Sequence, residues 1–244
     1  MRQAIERYLK RTGFERFTPK AVLFDMDGVL YDSMPNHAKA WHQCMESREL
    51  EMSENDAYLY EGMRGVETIR LIAERQWHRN VSDEEAAEIY RQKSAIYSAF
   101  PPAPMIDGIH DLQEAIRQQG WKIGVVTGSG QTSLLNRILQ DFEGLVFPDI
   151  LVSAKDVSRG KPCPDPYIKG MEKAGAQPWE TMVVENAPLG VKAAVAARCL
   201  TVAVNTGPLP DSVLADAGAD LILPSMTALK TLITGMEIPP SDGE

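Results

Sequence analysis

A short apolar run, Ala21-Val-Leu-Phe24, leads directly into Asp25-Met-Asp27-Gly28, and this junction constrains the fold more than any other feature of the sequence. The run is rich in strand formers and carries no polar side chain, as suits a strand inside a sheet. At its carboxyl end Asp25 and Asp27 stand where open α/β sheets place their chemistry. Two carboxylates held close together repel, and each raises the other's pKa unless a cation or donors compensate. A divalent hard metal with oxygen ligands is the simplest compensation. A turn capped by one Asp, with Gly28 at positive φ, explains one acid and the glycine but not the second acid.

Further strand-like runs recur at 122–126, 149–152, 181–184, 200–204 and 221–223, most of them separated by helical patterns such as 106–120 and 190–198. Alternating strands and helices predict a Rossmann-like α/β fold, a parallel sheet with helices on both faces. Between residues 36 and 100 the alternation stops. Segments 41–46, 65–77 and 83–97 read as amphipathic helices, and Ser82-Asp-Glu-Glu85 supplies a helix start with acids in its first turn. Pro101-Pro-Ala-Pro104 then forces an extended connector. The expected organisation is an α/β core of residues 18–34 and 103–235, an inserted all-α cap of 35–102, an N-terminal helical extension of 1–17 and a flexible tail of 236–244.

The formal charge of −9, from 25 basic and 34 acidic residues, disfavours nucleic acid or an anionic membrane as a partner. An anionic substrate then needs a local positive site, for which Lys161, Lys93, Arg64 and a metal are the candidates. No apolar run is long enough to span a membrane, and the charged stretch Met1–Arg11 does not resemble a secretory signal. Cys44, Cys163 and Cys199 are odd in number and widely spaced, as expected of reduced thiols in a cytoplasmic protein. They form no CxxC, and His37 and His42 miss the i, i+4 spacing of a helical zinc pair, so zinc is not expected. Met34, Met45, Met63 and Trp41 read as packing residues.

Four ordered segments carry a family likeness: Asp25-Met-Asp-Gly-Val-Leu-Tyr-Asp-Ser33, Val125-Val-Thr-Gly-Ser129, Gly160-Lys-Pro-Cys-Pro-Asp-Pro166 and Val183-Val-Glu-Asn-Ala-Pro-Leu-Gly190. Together they resemble the haloacid dehalogenase-type phosphohydrolases, in the branch that includes β-phosphoglucomutase, over residues 18–235. The resemblance implies that Asp25 attacks phosphorus to form an aspartyl-phosphate. It implies that Asp27 serves as general acid and base, which calls for a pKa lifted towards neutrality, with its carbonyl on Mg2+. Thr127, Gly128 and Ser129 lie between a strand and a helix starting near Gln131, where hydroxyls and N–H groups receive phosphate oxygens. Gly128-Ser-Gly130-Gln-Thr-Ser133 lacks the third glycine of a dinucleotide fingerprint, and Lys161 lacks the glycines of a Walker motif, so Lys161 reads instead as a point cation between nucleophile and phosphate. Asp165-Pro166 reads as N-cap and N1 of a helix.

Asn186 departs from the two acids the family usually carries there. Its amide oxygen still suits Mg2+, leaving Asp25, Asp27, Asn186 and, through water, Glu185 as the metal set. Mutases of this branch place an arginine three residues after the glycine matching Gly62, whereas this chain has Gly65; neighbouring Arg64 is rotated by about 100° on a helix start. Asn186, Glu61, His37 and Lys93, with Ala203-Val-Asn-Thr-Gly-Pro208, resemble a bacterial inorganic-pyrophosphatase-like subgroup. The expected function is therefore Mg2+-dependent hydrolysis of a small phosphate ester or diphosphate, pyrophosphate favoured, by a monomer, with His37, Glu61 and Lys93 meeting the substrate. A hexose-phosphate mutase is the alternative. A phosphate-binding regulatory protein is another, suggested by Asn186 and opposed by the intact Asp25 and Asp27.

Overall fold

The computed structural model describes residues 1–236. Its six strands are β1 (Ala21–Phe24), β2 (Lys122–Val126), β3 (Leu151–Val152), β4 (Thr181–Glu185), β5 (Leu200–Val204) and β6 (Leu221–Leu223). They form one sheet of order β3-β2-β1-β4-β5-β6 in which every pairing is parallel. The three strands β1, β4 and β5 are buried along their whole length, as continuous apolar runs must be when helices cover both faces. The helices are α1 (Arg2–Thr12), α2 (Met34–Glu46), α3 (Glu54–Leu59), α4 (Gly65–Trp77), α5 (Asp83–Ser98), α6 (Ile109–Gln118), α7 (Thr132–Asp141), α8 (Asp165–Ala174), α9 (Pro188–Ala196), α10 (Asp211–Asp216) and α11 (Met226–Thr234).

Val22 and Phe24 point to one face, where they join Leu112, Phe142 and Leu229 of α6, the end of α7 and α11. Leu23 points to the other, against Tyr167 and Met171 of α8 and Ala193 and Ala194 of α9. Helices α2 to α5 keep a core of their own around Trp41, Met45, Ile69 and Ile89. The chain leaves for this helical insert and returns side by side: Asp32 N–H donates to Pro104 O at 2.9 Å, and Ile106 N–H to Leu30 O at 2.9 Å.

Helix α1 lies at the far end from Asp25. Arg11 forks onto Asp220 at 2.7 and 3.1 Å, and the Tyr8 hydroxyl donates to Pro178 O at 2.9 Å, which ties the helix to segments leading into β4 and β6.

Several elements differ from expectation. The strand expected at 149–152 shrinks to two residues because Pro148 opens a 3-10 turn through Ile150. Helix α2 begins at Met34 rather than Trp41, with Pro35 in its first turn. Helix α3 was not anticipated. Its six residues are too few to display a period, and a Ser53–Asp56 capping box defines its start. Asp165 is the first residue of α8 rather than its N-cap, and its carboxylate is gripped by Arg159 through two 2.8 Å bonds. Of the expected flexible tail, Met236 packs against the core; residues 237–244 lie outside the described residues.

Candidate active site

The register brings three strand ends together, because Phe24 pairs with both Val125 and Val184. Asp25, Thr127, Glu185 and Asn186 therefore emerge side by side at the carboxyl edge of the sheet, where the strand order reverses. Lys161 Nζ donates to Asp25 Oδ1 at 2.5 Å and to Glu185 Oε1 at 2.7 Å, and the Tyr167 hydroxyl donates to the same Glu185 oxygen. All four side chains are buried. Burial pushes the Asp25 carboxyl up to about 7 against the pull of Lys161, with Glu185 and Asp27 adding to the rise. For Lys161 burial works downward, but the two carboxylates hold it above the usual lysine range.

Both Glu185 oxygens have partners, Oε1 in Lys161 and Tyr167 and Oε2 in the Asn186 and Ala187 amides at 3.1 and 3.5 Å, an arrangement compatible with the expected contact to a metal through water. Lys161 is the charge partner of Asp25.

Asp27 Oδ1 accepts from Ser33 Oγ at 2.6 Å and meets His37 Nε2 at 3.2 Å. Lys93 Nζ lies 2.6 Å from His37 Nδ1. An ammonium can only donate, so Nδ1 accepts and Nε2 carries the proton it gives to Asp27. Tyr97 stacks on the imidazole with centroids 4.0 Å apart and an interplanar angle of 17°. Lys93 pairs with His37 and His37 with Asp27, and both also line the cavity. One expectation changes here: burial pushes Asp27 up, but His37, Ser33 and Lys93 outweigh it and hold the carboxyl below its usual range instead of near neutrality. Burial pulls Lys93 down to about 8 against the opposing fields of Asp27 and Cys44.

Glu61, from the loop between α3 and α4, reaches the core and accepts from Asn186 Nδ2 at 3.2 Å. Two glycines permit the approach. At Gly28, φ is +77° and a Cβ would sit 2.0 Å from Asn186 Nδ2; at Gly62, φ is +84° and a Cβ would sit 2.9 Å from Lys161 Cδ. The remaining oxygens, Glu61 Oε1 and Asn186 Oδ1, are buried and have no hydrogen-bond partner among the described residues. Orphaned acceptors of this kind are costly unless a cation or water meets them. Burial, then Asp25, Asp27 and Glu185, drive the Glu61 carboxyl well above its ordinary range. The oxygens therefore fit a hard cation, and Mg2+ suits an all-oxygen set of one amide and a few carboxyls. Among the described residues no three His, Cys, Asp or Glu side chains form a metal-holding group by themselves, so a cation here would need Asn186 and backbone carbonyl oxygen as well.

In the loop after β2, Ser129 N–H donates to Thr127 Oγ1 at 3.0 Å and Gln131 N–H to Ser129 Oγ at 3.3 Å. Those two N–H groups are engaged, which leaves the hydroxyl protons of Thr127 and Ser129 as donors. The cavity between loop and cap holds about 70 Å3, with Asp25, Asp27, His37, Glu61, Lys93 and Ser129 on its wall. Arg64 does not reach it; its guanidinium donates to Ser158 O at 2.9 Å. Trp41 and Met45 pack in the cap core and Met34 is buried, as expected; Trp41, Met34 and Met63 also line the cavity.

Sequence reasoning gave no role to Ser33, Tyr167, Tyr90 or Tyr97. The last two were within reach, since Tyr90, Lys93 and Tyr97 follow an i, i+3, i+7 spacing on one face of α5. Tyr167 carries no local signal, because its partner Glu185 comes from a distant strand.

The chain belongs to the haloacid dehalogenase-like hydrolases, whose family model matches residues 19–198. It is similar to hexitol phosphatase A of Escherichia coli K12, 31% identical over 186 residues that cover 76% of this chain and 83% of that protein. It is also similar to the beta-phosphoglucomutase of Bacillus subtilis, at 26% identity over 84% of this chain and 88% of the relative. A solved Bacteroides vulgatus structure, provisionally named a beta-phosphoglucomutase, matches with a TM-score of 0.89 and 43% identity over 93% of each chain.

Proposed function

We propose that this haloacid dehalogenase-like hydrolase is a Mg2+-dependent phosphohydrolase that works through an aspartyl-phosphate on Asp25, with inorganic pyrophosphate as its substrate. The observation that carries the reading is Glu61, a carboxylate brought from the cap to an already acidic site, with one oxygen unpartnered beside that of Asn186. A fourth acid there stays protonated unless a divalent cation meets it, and a cation so held suits the most anionic of small phosphate substrates.

Asp25, the Asp27 carbonyl, Asn186 Oδ1 and Glu61 Oε1 are the groups that would hold Mg2+, which when bound neutralises charge on the phosphoryl oxygens. Lys161 fixes Asp25 Oδ1 and leaves Oδ2 to attack phosphorus. As the new P–O bond forms, the bridging bond to the leaving phosphate breaks, and Asp27 gives that oxygen a proton. Asp27 sits low in its present surroundings, and an anionic phosphoryl group beside it raises it again. Asp27 then takes a proton from the water that attacks the acyl phosphate, and Asp25 is regenerated. Ser33 and the Lys93–His37 pair aim the carboxyl throughout. Free thiols at Cys44, Cys163 and Cys199 agree with a cytoplasmic location, and a monomer suffices because one chain supplies every group.

The similarity to a beta-phosphoglucomutase favours a second reading, a sugar phosphate as substrate. Gly65 offers no side chain to hold a distal phosphate, and Arg64 is turned to Ser158. Asp25 and Asp27 are both present within a hydrolase family, which leaves little for a purely regulatory protein. Phosphate release with Mg2+ from pyrophosphate, hexitol phosphate and β-glucose 1-phosphate tests the proposal. Pyrophosphate should give the highest kcat/KM; a sugar phosphate above it would move the assignment.

A further inference from the structure

A second opening lies beside the active-site cavity. It holds about 310 Å3 between the start of α2, Tyr58 of α3 and the loop after β5. Of its lining, Gly28 and Asn186 are buried whereas Asp32, Pro35 and Pro208 are exposed, so the first two form its floor and the others its mouth. Met34 lines both spaces. Of the two, Asn186 lines only this one and Glu61 only the active-site cavity, which makes the 3.2 Å bond from Asn186 Nδ2 to Glu61 part of the partition between them. The walls are fixed by their own bonds. Thr206 Oγ1 donates to Gly28 O at 2.6 Å, and Asn205 Nδ2 donates to Leu209 O at 2.9 Å and to Asp211 Oδ1 at 2.6 Å. Tyr58 stands opposite, where a Cβ on Gly207 would fall 3.2 Å from its Cδ1. Burial raises the Tyr58 phenol above its usual range, and Glu61 and then Asp32 add to the rise, so the ring lies in the field of an acid from each space.

We propose that this pocket is the route by which the divalent cation enters and leaves, separate from the substrate cavity, with Asp32 at its mouth as the carboxylate that draws the ion in. The inference rests on the reading of Asn186 and Glu61 as cation ligands. Asn186 Oδ1 is buried with no hydrogen-bond partner among the described residues, so a cation arriving over Asn186 meets a free acceptor before it reaches Glu61. Charge favours the same path. Among the described residues that line the pocket Asp32 is the only charged one, whereas a cation crossing the active-site cavity has to pass Lys93. A substrate held against Asp25 also blocks that cavity, and a second opening keeps cation exchange independent of it. Mg2+ gives up its water reluctantly. The pocket is far larger than the ~10–15 Å3 that one enclosed water needs, so the ion can pass with water still attached.

The test uses the full chain and Mn2+ as the probe. Stopped-flow tryptophan fluorescence reports association and a chelator chase reports release, with Trp41 on the wall of the active-site cavity as the reporter. Asp32→Lys, at an exposed position, should slow association by about tenfold at low salt and by much less at high salt, as for any steering charge. Gly207→Val, which fills the mouth against Tyr58, should slow association and release by the same factor, about fivefold or more, and leave the affinity unchanged, because it alters the passage and not the bound state. A wild-type association rate in either folded variant overturns the proposal. So does a change in Asp32→Lys confined to release, which would show only that Asp32 feels the bound ion. If circular dichroism shows Gly207→Val to be unfolded, Asp32→Lys decides alone. A wild-type chain that binds no Mn2+ would overturn the cation reading and the route with it, whereas unchanged rates in chains that do bind it overturn the route alone.

Discussion

Asn186 Nδ2 donates to Glu61 Oε2 at 3.2 Å between core and cap, while Asn186 Oδ1 and Glu61 Oε1 have no hydrogen-bond partner among the described residues. A single contact therefore both joins cap to core and leaves two acceptors, which on the proposed reading meet a cation.

Glu61→Gln tests the second half of that statement. The amide oxygen can still accept from Asn186, so the seam survives, but the charge is gone. Mg2+ affinity measured by calorimetry should fall by at least about tenfold, as for other perturbed metal sites. Unchanged affinity would place Glu61 off the metal.

Asn186→Asp tests the first half. The substitution replaces the donor with a carboxylate facing Glu61, so the cap contact becomes repulsive until a cation arrives. The thermal midpoint without Mg2+ should drop, and the rise on adding Mg2+ should exceed that of wild type by linkage. An identical rise in both proteins would contradict this account.

For Asp25→Asn the fold should persist, because Lys161 keeps Glu185 as its partner. Turnover should fall by at least about a thousandfold, since an amide is a poor nucleophile of the same shape. Activity within about tenfold of wild type would rule out covalent catalysis by this residue.

Lys93 gives a pH dependence of definite sign. Its folded pKa, about 8, lies below the ordinary lysine value of 10.5, so burying the charged form destabilises the fold at every pH below about 8. That penalty disappears as pH rises from about 8 to 10.5. Lys93→Met should accordingly gain most in thermal midpoint over wild type at pH 7, with the gain narrowing towards pH 10.5. It should also lose activity, because His37 Nδ1 loses the donor that fixes its tautomer. A gain independent of pH would mean that Lys93 binds its proton equally in the folded and unfolded chains, and would contradict this account.

Much of this arrangement was legible in the sequence, and the reasons are local. Asp25, Asp27, Thr127 and Asn186 each follow an apolar run buried on both faces, so β-pattern and position together placed them on one edge. The cap residues were legible as candidates but not in their roles. Lys93 and His37 are 56 positions apart, and only the packing of α2 against α5 reveals that they serve Asp27. Likewise, the sequence carries no sign that Lys161 and Tyr167 converge on one oxygen of Glu185, because the three come from separate elements.

The central claim is that pyrophosphate phosphorylates Asp25. Rapid mixing of enzyme, Mg2+ and excess pyrophosphate, quenched in acid and followed by peptide mass spectrometry, tests substrate and nucleophile together. The account predicts one phosphoryl group on the peptide containing Asp25, absent in Asp25→Asn. Phosphate release from pyrophosphate with Asp25 never modified, or modification of Asp25 by sugar phosphates but not by pyrophosphate, would contradict it.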